Sequence, residues 1–189
     1  MKKLALLLLL GTLSPAAFAQ DDEESEGLFG LGVPLYVAVD YVIDAKLSVS
    51  DSNVFPEEDF DTNFYVAHVG TRYKAIGFEL QYGLGEDDND PDYVETDQYY
   101  GAFVVPTGTV RNMIEVAFPI GYTRMTLKQG DLEDDFEGGA YGINLQLPLK
   151  LVSDSLPDLR IVAGAMVYQQ NVNSRIYGWH AGLRYDFKI

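Results

Sequence analysis

Two histidines, His68 and His180, fall in segments that also carry Asp40, Asp44, Glu79, Glu115 and Asp186, together with Lys46, Arg72, Lys150, Arg160 and Arg184. In most of these segments every second residue is apolar, so a strand would sort the charges onto one face. Arg160 joins this set only if its strand turns that face inward. Five acids then face five bases in a chain that is otherwise strongly acidic. Such balance suggests charges paired inside a confined lumen, where an unpaired ion is costly. One reading is a salt-bridged plug that ties the walls together. The other is a gated ion path in which Glu79 exchanges partners between Arg72 and Arg184. A small barrel is filled by its own side chains, which disfavours an open pore.

Hydrolytic chemistry needs a nucleophile beside a base. His68 is followed by Val-Gly and His180 by Ala-Gly, so neither has the His-x-Ser arrangement of barrel-type lipid A deacylases. Serines gather instead in turns, at Ser48, Ser50, Ser52, Ser153, Ser155 and Ser174. No catalytic residue and no cofactor is expected, and both histidines read as members of a hydrogen-bond network. Asp87, Asp88, Asp90 and Asp92 invite weak binding of Ca²⁺ or Mg²⁺, although the segment lacks the Gly and closing Glu of an EF-hand. Such ions would bridge these carboxylates to lipopolysaccharide phosphates, and Arg124 would reach a phosphate directly.

The elements that position these residues are strands. In the last segment Tyr177, Trp179, Ala181, Leu183, Tyr185, Phe187 and Ile189 alternate with Gly178, His180, Gly182, Arg184, Asp186 and Lys188. From Trp179 to Ile189, a tilted strand rises about 23 Å along a membrane normal, close to the apolar band of an outer-membrane barrel. Comparable alternation runs from Leu35 to Lys46, from Phe64 to Lys74, from Phe78 to Gly85 and from Tyr141 to Lys150. Gln98 to Val105 is apolar on both faces. In Met113 to Leu127, Glu115 falls in the polar set and Arg124 in the apolar one, and Pro119 suggests a bulge. Leu159 to Gln170 reads either way. The expectation is an all-β, antiparallel up-and-down transmembrane barrel of about eight strands. A water-soluble, lipocalin-like barrel shows the same alternation turned inside out.

Lys2 and Lys3, the apolar run to Leu13 and Ala17-Phe18-Ala19 form a cleavable secretory signal over residues 1–19. Residues 20–32 read as an acidic tail and 33–189 as the barrel. Net charge is −16, with 29 acidic residues, which disfavours nucleic acid. With no cysteine, closure of the sheet must supply the constraint that disulfides would otherwise give. Ser48 to Thr62, Glu86 to Asp97 and Lys128 to Gly138 hold 17 acidic residues and one basic residue, Lys128. These are every second connection, so they share one end. The alternate connections, Ala75 to Gly77, Pro106 to Arg111 and Val152 to Asp158, are shorter or lightly charged. Outer-membrane barrels show that asymmetry. The fourth outer connection, Asn171 to Ser174, is short and uncharged.

With Gly83 to Asp88 (GLGEDD), Tyr99 to Phe103 (YYGAF), Gly121 to Arg124 (GYTR) and the ending Gly182 to Phe187 (GLRYDF), the chain resembles the small outer-membrane β-barrel domains of the OmpA and OmpX types. The resemblance implies the outer membrane of a Gram-negative cell, a monomer, contact with membrane lipid and lipopolysaccharide, and insertion by the outer-membrane assembly machinery. That machinery would read the last strand, with Tyr177, Trp179, Tyr185, Phe187 and Ile189 as interface aromatics and terminal signal. Members usually end in Phe, whereas here Phe187 precedes Ile189 by two. No peptidoglycan-binding domain is expected after the barrel. The functional expectation is a non-enzymatic barrel with acidic outer loops and a structural or surface-interaction role. A narrow ion channel is the alternative, and a lipid-modifying enzyme is less favoured.

Overall fold

The alternating segments become nine strands in a computed structural model that describes residues 34–49, 59–86, 94–110, 113–151 and 158–187. The signal, the acidic tail, the four loop aspartates and Ile189 lie outside the described residues. The strands are β1 (Leu35–Val49), β2 (Asp59–Tyr73), β3 (Ile76–Gly85), β4 (Glu95–Val110), β5 (Ile114–Ala117), β6 (Ile120–Gln129), β7 (Leu132–Pro148), β8 (Leu159–Gln170) and β9 (Ser174–Phe187). β5 and β6 are one stave interrupted at Phe118-Pro119. Each stave pairs antiparallel with its sequence neighbours, and β1 pairs with β9, so the eight staves close into a ring. Closure leaves no sheet edge within the ring.

Several boundaries differ from the sequence expectation. Pro119 does not mark a bulge. Thr107 pairs with Ala117 and Val104 with Ile120, so the register runs through the interruption unchanged. Proline merely removes a donor there, while the Phe118 amide still donates to the Pro106 carbonyl at 2.9 Å. Lys128 to Gly138 is not a loop. It continues β6 and β7 as a paired hairpin that turns near Gly130, where φ is 58°. Glu133, Asp135 and Glu137 are exposed strand residues, while Asp131 lies in the turn and Asp134 on the opposite face of β7. Pro106 to Val110 is likewise strand.

Three one-residue bulges decide which side chains enter the barrel. They lie at Asp44 in β1, Asp97 in β4 and Tyr168 in β8. Asp44 takes a positive φ of 47°, tolerable for Asp. An extra residue reverses the alternation beyond it. Ala45 and Leu47 therefore point inward, and Asp44 and Lys46 outward. This corrects the assignment of Asp44 and Lys46 to the lumen. Lys46 instead bonds Asp61 on the outer surface at 3.1 Å.

The bulges sit toward the end that carries the acidic hairpin, here termed the outer end. Toward that end the interior is apolar: Leu47, Phe64, Tyr99, Met125, Leu127, Tyr168 and Ile176 are fully buried. Phe64, Tyr99 and Tyr168 meet with ring centroids 5.1 to 5.9 Å apart. Below them polar and charged side chains enter the interior beside Phe103, Val105 and Val162. The outward face is the reverse, with Phe78, Leu80, Ile120, Leu145, Trp179 and Leu183 all more than half exposed. Water penalises a continuous belt of this kind, whereas hydrocarbon suits it.

Register also aligns tyrosines that are scattered in sequence. Tyr41 faces Tyr65, Tyr82 faces Tyr100, and Tyr122, Tyr141 and Tyr177 follow round the barrel. Every stave but β8 thus carries an outward tyrosine at about this level. Tyr41 and Tyr65 stack at 4.8 Å, and both hydroxyls donate to the Glu86 carboxylate. An aromatic girdle is the feature expected where apolar belt meets polar headgroups.

Candidate functional site

The polar half of the lumen holds two side-chain networks, each joining staves that are not neighbours in sequence. Nearer the middle, the His68 Nδ1 lies 2.9 Å from the Glu79 carboxylate. The Asp40 Oδ2 stands 3.4 Å from His68 Nε2 and 3.1 Å from His180 Nδ1. His180 Nε2 meets Asn144 Oδ1 at 2.8 Å. Glu79 accepts further hydrogen bonds from the Tyr36 hydroxyl at 2.7 Å and from Gln81 at 2.6 Å. This belt runs through β3, β2, β1, β9 and β7, with the imidazoles buried.

At the other end lies the second network. Glu115 reaches Arg72 on β2, Arg160 on β8 at 3.3 Å and Arg184 on β9 at 3.8 Å. Asp186 binds Arg160 and Arg184, each at 2.6 Å. Arg184 also lies over the Tyr36 ring, 3.6 Å from its centroid. Arg160 faces inward, which resolves the ambiguous phase of its strand. Tyr36, Arg72, Arg160, Arg184 and Asp186 line a cavity of about 240 Å³ that opens at this mouth.

Two sequence-based placements change here. Glu79 does not stand between Arg72 and Arg184. Its partners are His68, Tyr36 and Gln81, because β3 sets it level with the histidine belt. Lys150 is not on a strand face, since β7 ends at Pro148. It lies in a short 3-10 turn (Leu149–Leu151) at the mouth and pairs with Asp158.

Glycines make these crossings possible, a role that sequence reasoning missed. Asn144, Gly164 and His180 are consecutive register partners on β7, β8 and β9. A Cβ on Gly164 would stand 2.4 Å from His180 Nε2 and 2.5 Å from Asn144 Oδ1. Gly70 similarly lets the Tyr36 ring cross β2 to reach Glu79. The only signal in the sequence was glycine recurring on the polar face. Gly164→Ala is expected to lower stability by about 1–3 kcal/mol through overpacking. Adding Asn144→Ala should recover part of that loss in urea titrations of the folded barrel. Equal stability of Gly164→Ala and wild type would contradict the crossing.

Among the described residues, the nitrogens of both histidines face carboxylates and an amide rather than a serine or threonine hydroxyl. Among the described residues, no group of three His, Asp or Glu side chains is placed to hold a metal. The arrangement can hold and exchange protons among fixed partners and can cross-link the walls.

The ring of eight antiparallel staves corresponds to known structures. The chain has the fold of the small outer-membrane β-barrels. Neisserial surface protein A matches with a TM-score of 0.56 at 16% identity, over 81% of this chain and 97% of that one. The attachment invasion locus protein Ail of Yersinia pestis matches with a TM-score of 0.53 at 13% identity, over 83% of this chain and all of that one. The N-terminal β-barrel domain of Pseudomonas aeruginosa OprF matches at 0.50 and 9% identity, over 80% and 97%. No protein-family model matches the chain, and no curated protein does. At these identities the likeness shows the small-barrel fold.

Proposed function

We propose that this protein is a non-enzymatic barrel of the outer membrane whose outer end presents an acidic, rigid surface to cationic partners. The β6–β7 hairpin carries the reading. The pairing of β7 with β8 ends at Gly139 and Gln170, yet β7 runs on to Leu132, about 23 Å farther along the strand. Its exposed side chains include Glu133, Asp135 and Glu137. Arg124 and Thr126 bond Asp135 at 2.5 and 2.6 Å, and Lys128 bridges Asp97 and Glu133. The Thr126 hydroxyl, and then Arg124, hold the Asp135 carboxyl below its ordinary range. Charge on a rigid hairpin is presented at little ordering cost.

The Yersinia barrel has been solved in complex with the heparin analogue sucrose octasulfate. A polysulfated ligand would be repelled by the acidic outer surface of this chain. The aromatic plug across the outer lumen weighs against an ion path, so silence in planar bilayers is the matching expectation. The histidines' partners weigh against acyl transfer.

Neutral lipid vesicles bearing the full chain should adhere to a polylysine-coated sensor and not to a heparin-coated one. Changing Glu133→Gln, Asp135→Asn and Glu137→Gln together should reduce adhesion roughly fivefold or more at physiological salt. Undiminished adhesion, or a preference for heparin, would overturn the reading.

A further inference from the structure

The tyrosine girdle has one gap, and the gap is a groove. On β8 the girdle position is Val167, recessed to 7% exposure between Tyr141 of β7 and Tyr177 of β9. A groove of about 620 Å³ opens there on the outside of the barrel. Its floor is Ala165 and Val167, and its walls are Tyr141 with Ile143 on one side and Tyr177 with Trp179 on the other. The Tyr141 hydroxyl donates to Gln170 at 2.9 Å, fixing one wall. The upper rim bears Arg175, Lys46 and Asp44.

Charge at that rim departs from the rest of the outer end. Arg124 and Lys128 are each held by carboxylates. Lys46 bonds Asp61 and lies near Asp44. The Arg175 guanidinium lies 5.3 Å from the Tyr177 ring centroid, against a wall of the groove. Arg175 has no carboxylate within ion-pair distance among the described residues. A cation stacked on an interfacial tyrosine above an apolar channel matches a phosphate above an acyl chain.

We infer that this groove is a binding site for one phosphorylated glycolipid of the outer leaflet, with an acyl chain along Val167 and Ala165 and a phosphate on Arg175. The inference rests on the outer-membrane reading above. Neither the acidic hairpin nor the lumen takes part in it.

The test is native mass spectrometry of the full chain, folded and released from bilayers that mix lipid A with phosphatidylethanolamine. Wild type should retain one lipid A in preference to phosphatidylethanolamine. Arg175→Gln should lower that retention roughly fivefold, and Ala165→Trp, which fills the floor, should abolish it. Lys74→Gln, an exposed cation at the opposite end of the barrel, should leave retention unchanged. Equal retention in wild type, Arg175→Gln and Ala165→Trp would overturn the site, as would preference for phosphatidylethanolamine. A dimer lost on Ala165→Trp would reassign the groove to self-association and also overturn it. If wild type folds in the bilayer yet keeps no lipid A, the site alone fails. If it does not insert at all, shown by the absence of heat-modifiable migration, the outer-membrane reading fails with it.

Discussion

Glu115→Ala is expected to cost the barrel about 3–5 kcal/mol, because removing one member of a buried ion network leaves the others uncompensated. Glu115 is only 5% exposed and meets Arg72, Arg160 and Arg184. Without it, Arg160 and Arg184 still meet Asp186, whereas Arg72 is left with no ion-pair partner among the described residues. Its partners lie on β2, β8 and β9, so the carboxylate also ties walls that no hydrogen-bonded register joins to β5. Urea-dependent folding in lipid vesicles would measure the loss. Arg72→Met in the same background should restore part of it by removing one stranded charge. A loss under about 1 kcal/mol would mean that water at the mouth already screens the network.

The second large effect separates the two solvents that an alternating strand permits. Leu145 points outward from the last third of β7, beyond the girdle residue Tyr141, and is 51% exposed, with Val116 and Ala163 as its register neighbours. In water, Leu145→Arg on such a surface would change stability by no more than about 0.5 kcal/mol. In a bilayer it should cost about 2–4 kcal/mol, the depth-dependent penalty for arginine on a lipid face. The comparison is between wild type and variant refolded into vesicles, read by heat-modifiable migration and urea midpoint. Unchanged folding efficiency and midpoint would argue that the apolar belt does not meet lipid.

Much of the architecture was legible because strand alternation is a local property. The final strand is the clearest case. Tyr177, Trp179 and Leu183 face out and His180 and Arg184 face in, as the period of two requires, since no bulge interrupts β9 beyond Ile176. Alternation failed in β1 for the same physical reason that it succeeded in β9. A single extra residue at Asp44 inverts everything after it, and nothing in the run from Val42 to Leu47 announces that residue. The apolar residues on both faces of β4 were similarly undecidable alone. Their phase follows from pairing with β3 and β6, which sends Tyr99 and Phe103 inward and Tyr100 and Val104 outward.

Sequence by itself determined a closed antiparallel barrel, the inward set on unbulged strands and the acidity of one end. These depend on side-chain period, composition and the order of connections, all properties of short segments. Tertiary structure alone decided who meets whom. It set Glu79 beside His68 rather than an arginine, placed Gly164 under the His180–Asn144 contact, and turned Lys128 to Gly138 from loop into hairpin. It also lined up seven tyrosines around one level and left the opening at Val167. Each of these depends on register between staves and on three bulges, and both arise from closing the ring, which no single strand contains.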